Sequence, residues 1–313
     1  MSGFDLSALE PVFLAVERTD LDLILVGGHA VSFYAAKYRD RCPELAQYFP
    51  LRSKDADWIG TIDDGMRLAS ALHLIWRGNP RKGGMQGLSL GRIDLDEPRG
   101  GKIEILGQIL GAGAKEIRET AVTESALGFT IRIINPFLLY ETKGLNLATI
   151  PQREGEGGRQ DAKQFAVMGI ITSDLLKQFA MTPGDERALI KTCGRLLDFS
   201  LSQNGAALVK AGAMDPFKLL PFALMETHAG ASVRNLANKR LPHFRRQLDS
   251  ALEKVPAEQA EKIRADLERM ESELARPSRG GEFSQEVERE RGKRRSFSDH
   301  SMRVEDKKHG PDR

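Results

Sequence analysis

Residues 21–26, LDLILV, form a short apolar run that stops at Gly27-Gly28. An apolar run of this length bounded by glycine reads as a buried strand. The residues that follow, His29 to Tyr38, carry Val31, Tyr34 and Ala35 at the spacing of one apolar helix face. The chain therefore passes from strand to helix through two glycines. Glycine serves a tight strand-to-helix turn. It also leaves the N–H groups of a helix N-terminus open to an anion, with no side chain in between.

The same reading continues downstream. RDRCPELAQYFPLRS is an irregular connector, and Ala56 to Ile59 in KDADWIG is a second strand. Thr61 is placed to cap a helix ending near Leu72, with Asp64 at the capping-box position. HLIWRGNP gives a strand, and GLSLGRIDLD and GKIEILGQIL alternate around EPRGG as a hairpin. FTIRIINP is a further strand, Pro136 opens a helix through Leu147, and RQDAKQFAVMGI is the next helix. Strand signals vanish after about Ser173. The expected organisation is an α/β (α+β) domain with a short mixed sheet over 1–172, a helical domain over 173–275, and a charged, disordered tail over 276–313. Helix starts are expected at Thr182-Pro183 and Asp215-Pro216, and residues 247–275 read as one polar helix.

Composition narrows the class. Of 313 residues, 41% are hydrophobic, enough for a buried core, and the net charge is only +2. No apolar run approaches the roughly 18 residues of a membrane span. The N-terminus lacks the basic segment of a signal peptide, and Cys42 and Cys193 are too few and too far apart to suggest a disulfide framework. A soluble, cytoplasmic protein without membrane partners is expected. Two stretches are basic, Asn238–Arg246 and Arg291–Arg295, and charge runs of this kind are most simply solvated surface.

The chemistry lies in carboxylates. Asp55 and Asp57 are two apart on a strand, which puts both on one face, roughly 6.5–7 Å apart. Glu104 stands between Ile103 and Ile105, so it faces away from them. Three carboxylates converging from neighbouring strands suit hard divalent cations and phosphoryl transfer. A lone D-x-D is also common on surfaces. Asp94 and Asp96 repeat the spacing, but in a hairpin with no glycine pair before it. Trp58 alternates to the opposite face as core, His29 reads as a capping or packing residue, and His73 as structural.

LVGGHAVSFYAAKY, LRSKDADWIG and GKIEILGQILG together resemble the nucleotidyltransferase superfamily that includes DNA polymerase beta, and within it the bacterial AbiEii-like group, which contains toxin nucleotidyltransferases. The resemblance spans about residues 20–172. It implies phosphate binding at Gly27 and Gly28, metal ligation (Mg2+ or Mn2+) by Asp55 and Asp57, and Glu104 as third acid. It further implies a nucleotide-binding lysine, Lys143, followed by Asp161, with Arg159 assisting; the plain alternative for Lys143 is a solvated helix position. The chain departs from the pattern in His29 after the glycines, in Glu as third acid, and in a long linker from Gly28 to Asp55. The implied activity is transfer of a nucleoside monophosphate from a nucleoside triphosphate to an acceptor hydroxyl. RNA or tRNA would be the acceptor and an antitoxin protein the partner. The alternatives are a non-catalytic nucleotide-binding or regulatory protein and a small-molecule nucleotidyltransferase.

Overall fold

The computed structural model describes residues 6–78, 88–95, 101–150 and 160–275. The described residues up to Met270 form one compact unit, and Glu271–Ala275 fall outside it. Asp96, Arg159 and the tail from residue 276 lie outside the described residues.

In chain order, a 3-10 turn at Leu6–Leu9 leads into α1 (Glu10–Thr19), β1 (Ile24–Leu25) and α2 (Gly27–Tyr38). There follow a 3-10 helix at Pro43–Tyr48, β2 (Asp55–Ile59), α3 (Ile62–Ala71), β3 (Trp76–Gly78), β4 (Ser89–Leu95) and β5 (Gly101–Leu106). A small hairpin of β6 (Gln108–Ile109) and β7 (Ala112–Gly113) precedes α4 (Ala114–Thr120), β8 (Val122–Ala126) and β9 (Phe129–Ile133). From there on, the described residues hold helices and no strand: α5 (Pro136–Thr149), α6 (Asp161–Met181), α7 (Glu186–Leu201), α8 (Gln203–Ala211), α9 (Pro216–Leu219), α10 (Phe222–Glu226), α11 (Ala231–Asn235), a π-helical turn at Leu236–Arg240, α12 (Leu241–Glu253) and α13 (Ala257–Ala275).

The fold is thus mixed α/β with a helical C-terminal region, as the sequence predicts. Its sheet has seven strands in the order β3-β4-β5-β2-β1-β9-β8. The β5–β2 and β1–β9 pairs are parallel and the other pairs antiparallel. Trp58 is fully buried on the core face of β2, edge-on to Phe13 of α1 at 5.9 Å. Ile103 and Ile105 of β5 share that face and are likewise fully buried.

Local chemistry sets several boundaries. Thr61 accepts a hydrogen bond from the Asp64 N–H at 3.1 Å, and Asp64 Oδ2 accepts one from the Thr61 N–H at 2.8 Å, completing the expected capping box of α3. Asp215 caps α9 through the N–H groups of Phe217 and Lys218. The single helix expected over 247–275 is instead two. α12 closes at Glu253, and Pro256, which has no N–H to donate, separates it from α13. Buried Val255 anchors the break.

The helical region is tied to the sheet region through α5. Tyr140 of α5 stacks on Phe165 of α6 at 4.6 Å. Arg195 of α7 donates to Glu141 of α5 and to Glu116 of α4, each at 2.6 Å. Burial raises the Glu141 carboxyl pKa, with the Arg195 hydrogen bond opposing it.

Candidate functional site

The parallel β2–β5 ladder aligns Asp55 with Lys102 and Asp57 with Glu104. Because Ala56, Trp58, Ile103 and Ile105 take the core face, alternation sends Asp55, Asp57, Lys102 and Glu104 to the other face of the sheet. Asp57 and Glu104 are lateral neighbours there. Lys102 Nζ donates to Glu104 Oε1 at 2.5 Å and lies 3.6 Å from Asp55 Oδ2.

The glycine pair meets this face at one point. α2 begins at Gly27 itself, two residues before the helix the sequence predicts, and Gly27 has φ +68°, in the left-handed region. A Cβ on Gly27 would lie 2.1 Å from Asp57 Oδ2, so only glycine lets the helix start approach that carboxylate. Gly28 does different work: a Cβ there would meet the side chains of Ser53 and Gln164 rather than a carboxylate of the acidic face. Gly27, not Gly28, therefore borders the acidic face.

The opposite wall is α5. Lys143 is 6% exposed, which overturns the solvated-position alternative. Its Nζ lies 3.7 Å from Oδ1 of Asp161, the first residue of α6, and Asn146 Nδ2 donates to the same oxygen at 3.4 Å. Asp161 thus acts on the cleft through Lys143 by fixing where the ammonium sits. Together these elements enclose a cavity of about 320 Å³. Gly27, Asp57, Glu104, Thr142, Lys143 and Asn146 supply its polar side, and Leu106, Ile109, Leu110 and Ile150 its apolar side.

The electrostatics follow from this crowding. Burial pushes the Asp57 carboxyl up to about 7, and the neighbouring Glu104 and Asp55 charges add to the rise while Lys143 and Lys102 oppose it. Burial also raises Asp55, against the pull of Lys102. For Lys102, burial acts to lower the pKa, but the hydrogen bond to Glu104 and the charges of Asp55, Glu104 and Asp57 outweigh it, and the ammonium is held above its ordinary value. The site strains to hold negative charge, which is the condition under which a carboxylate cluster gains from a divalent cation.

An oxygen-rich donor set next to a helix start that admits no Cβ fits Mg2+ or Mn2+. Among the described residues, however, no three His, Cys, Asp or Glu side chains are already gathered around one point as a metal cage. The reason is visible: the Lys102 ammonium stands between Asp55 and Glu104.

The other sequence candidates stand outside the cavity lining. Asp94 of β4 is the register partner of Lys102 and so shares the sheet face of Asp55 and Glu104, but it is exposed and paired with Arg77 at 2.9 Å and Arg92 at 3.2 Å. His29 is fully buried within α2, and His73 is an exposed residue with φ 55° after α3. In the basic stretch, Lys239, Arg240, Arg245 and Arg246 are exposed, and the Arg245 guanidinium covers the Phe217 ring at 4.4 Å. Sequence reasoning missed Lys102, Thr142 and Asn146. The alternation that placed Glu104 also places Lys102, two residues earlier, on the same face. Helical spacing likewise sets Asn146 three residues from Lys143.

Among the described residues no helix is long and apolar enough to cross a membrane. No family model matches the sequence, and no curated protein matches it. Solved structures similar to this one include an antigenic nucleotidyltransferase-like protein from Paracoccidioides brasiliensis, with a TM-score of 0.35 and 13% identity over 81% of this chain and 95% of that one. They also include JHP933 from Helicobacter pylori, with a TM-score of 0.31 and 15% identity over 86% of this chain and 94% of that one.

Proposed function

We propose that the cleft binds a nucleoside triphosphate with a divalent cation and transfers a nucleoside monophosphate to an acceptor hydroxyl. One observation carries this reading: the register pair Asp57–Glu104 faces the Gly27 helix start and the buried Lys143 across a single cavity. Asp57 and Glu104, with Asp55 beside them, would hold Mg2+ or Mn2+. When bound, the ion supplies charge neutralisation and polarisation at the phosphates. The N–H groups at the start of α2 and the Lys143 ammonium bind the triphosphate. The oxygen of the acceptor hydroxyl attacks the α-phosphorus, its proton passes to a carboxylate of this face that is not holding the ion, and pyrophosphate leaves. The apolar wall of Leu106, Ile109, Leu110 and Ile150 offers the nucleobase a dry surface.

The acceptor in this proposal is RNA, tRNA in particular. The exposed cations between Lys239 and Arg246 support it, since such side chains contact phosphates without reading sequence. A toxin-like role with an antitoxin partner rests on the AbiEii-like resemblance alone. The test is incubation of the full chain with cell RNA, Mg2+ and each α-labelled triphosphate in turn, with label expected on RNA. One observation favours a non-catalytic nucleotide-binding role instead: Lys102 already neutralises part of the acidic face. Absence of transfer for every triphosphate, together with Mg2+-dependent nucleotide binding, would select that role.

A further inference from the structure

We propose that the Lys102 ammonium is a built-in cation of the acidic site, standing where a second divalent ion would otherwise bind, so that the chain holds one divalent ion, between Asp57 and Glu104. The inference rests on the reading of the cleft as a metal and nucleotide site, and it specifies how many ions that site takes.

Three carboxylates on adjacent strands are enough to share two ions. Here the β2–β5 register gives one of the four positions facing away from the core to a lysine. Its ammonium touches Glu104 at 2.5 Å and stands 3.6 Å from Asp55, bridging the two outer carboxylates. Asp57 and Glu104 line the cavity, and neither Asp55 nor Lys102 is among the residues that do. Asp57 is thus the carboxylate that faces the cavity without touching Lys102, while Glu104 is shared between the ammonium and the cavity. The charge count agrees. Asp94 on the neighbouring strand is already offset by Arg77 and Arg92, and Lys143 by Asp161. Among the remaining groups one ammonium and one divalent ion balance three carboxylates, whereas a second ion beside Lys102 would leave two positive charges in excess before any phosphate entered. An ion taking this place would first have to break the Lys102–Glu104 hydrogen bond and move the ammonium from beside Asp55. A tethered ammonium is a compact point charge that needs no free metal to fill it.

The experiment is a Mn2+ titration of the full chain, followed by the electron paramagnetic resonance signal of the free ion, with circular dichroism confirming that each variant is folded. Wild type should take up one Mn2+ that Asp57→Asn abolishes. Lys102→Ala should take up two, and adding Asp55→Asn to Lys102→Ala should return the count to one. Lys102→Gln, which keeps most of the stem, should also bind two and serves if the alanine variant does not fold. Removing a positive charge this close to the ligands should tighten binding at the first site by about tenfold or more. Two ions on the wild type, or the same count and affinity in wild type and the Lys102 variants, would overturn the proposal while leaving the cleft a metal site. No Mn2+ on any of these proteins would overturn it together with the function proposed for the cleft.

Discussion

Replacing Asp57 by asparagine should make the metal-free protein more stable at neutral and alkaline pH. Asp57 has its carboxyl pushed up to about 7 from an ordinary 3.8, chiefly by burial. That difference corresponds to roughly 4 kcal/mol held against the folded state once the group is ionised. The sign follows from a folded value above the unfolded one. Below about pH 4 both states are protonated and nothing is lost; the penalty grows as pH rises toward 7 and is constant above it. Asparagine keeps the shape without the charge, but its own amide is desolvated there, which costs about 1–2 kcal/mol. The net gain should be about 2 kcal/mol at pH 8, falling toward zero or reversing near pH 4. Urea denaturation in the presence of a chelator, run at pH 4.5, 6 and 8, measures it. Divalent ions should reverse the order at pH 8, since ligand at 100 times its Kd adds about 2.7 kcal/mol to the wild type alone. A variant no more stable than wild type at pH 8, or an advantage independent of pH, would refute the claim that Asp57 is a desolvated, charge-crowded carboxylate.

Gly27→Ala should misplace the Asp57 carboxylate, because the new methyl would start 2.1 Å from its oxygen and the backbone is left-handed there. Loss of Mn2+ binding and a destabilisation above about 1 kcal/mol are expected in calorimetry, while retention of both would show that the helix start and the carboxylate are not in contact. Lys143→Ala should cost about 3 kcal/mol in denaturant unfolding because it removes the cation beside the buried Asp161 carboxylate. Lys143→Ala/Asp161→Ala should cost less than the two single changes summed, and strict additivity would argue against the pair.

Much of the cleft was legible because strand alternation is a two-state rule. Once KDADWIG and the isoleucines flanking Glu104 are read as strands, the facing of Asp55, Asp57 and Glu104 follows, and the structure agrees. Thr61 and Asp64 were legible for a similar reason, their bonds being local. What was hidden depends on pairing between distant segments. Nothing in the sequence says that β2 pairs parallel with β5, and only that register sets Lys102 beside Asp55. β8, VTESA, was missed because an edge strand with one buried residue carries almost no apolar signal. The polar run after residue 247 concealed a break because its charges continue across Pro256.

The setting of α2 bears on how a ligand would be received. From Gly28 through Ala35 every residue is buried, so the helix has almost no solvent face along most of its length. Tyr34 Oη donates to the Ile134 carbonyl at 2.8 Å, and Ser32 Oγ to the carbonyls of Gly28 and Leu51. The end that reaches the cleft is therefore held by the core rather than by whatever occupies the cleft. Its amide groups are oriented beforehand, and an arriving phosphate would have no loop to order and little conformational entropy to overcome at that contact.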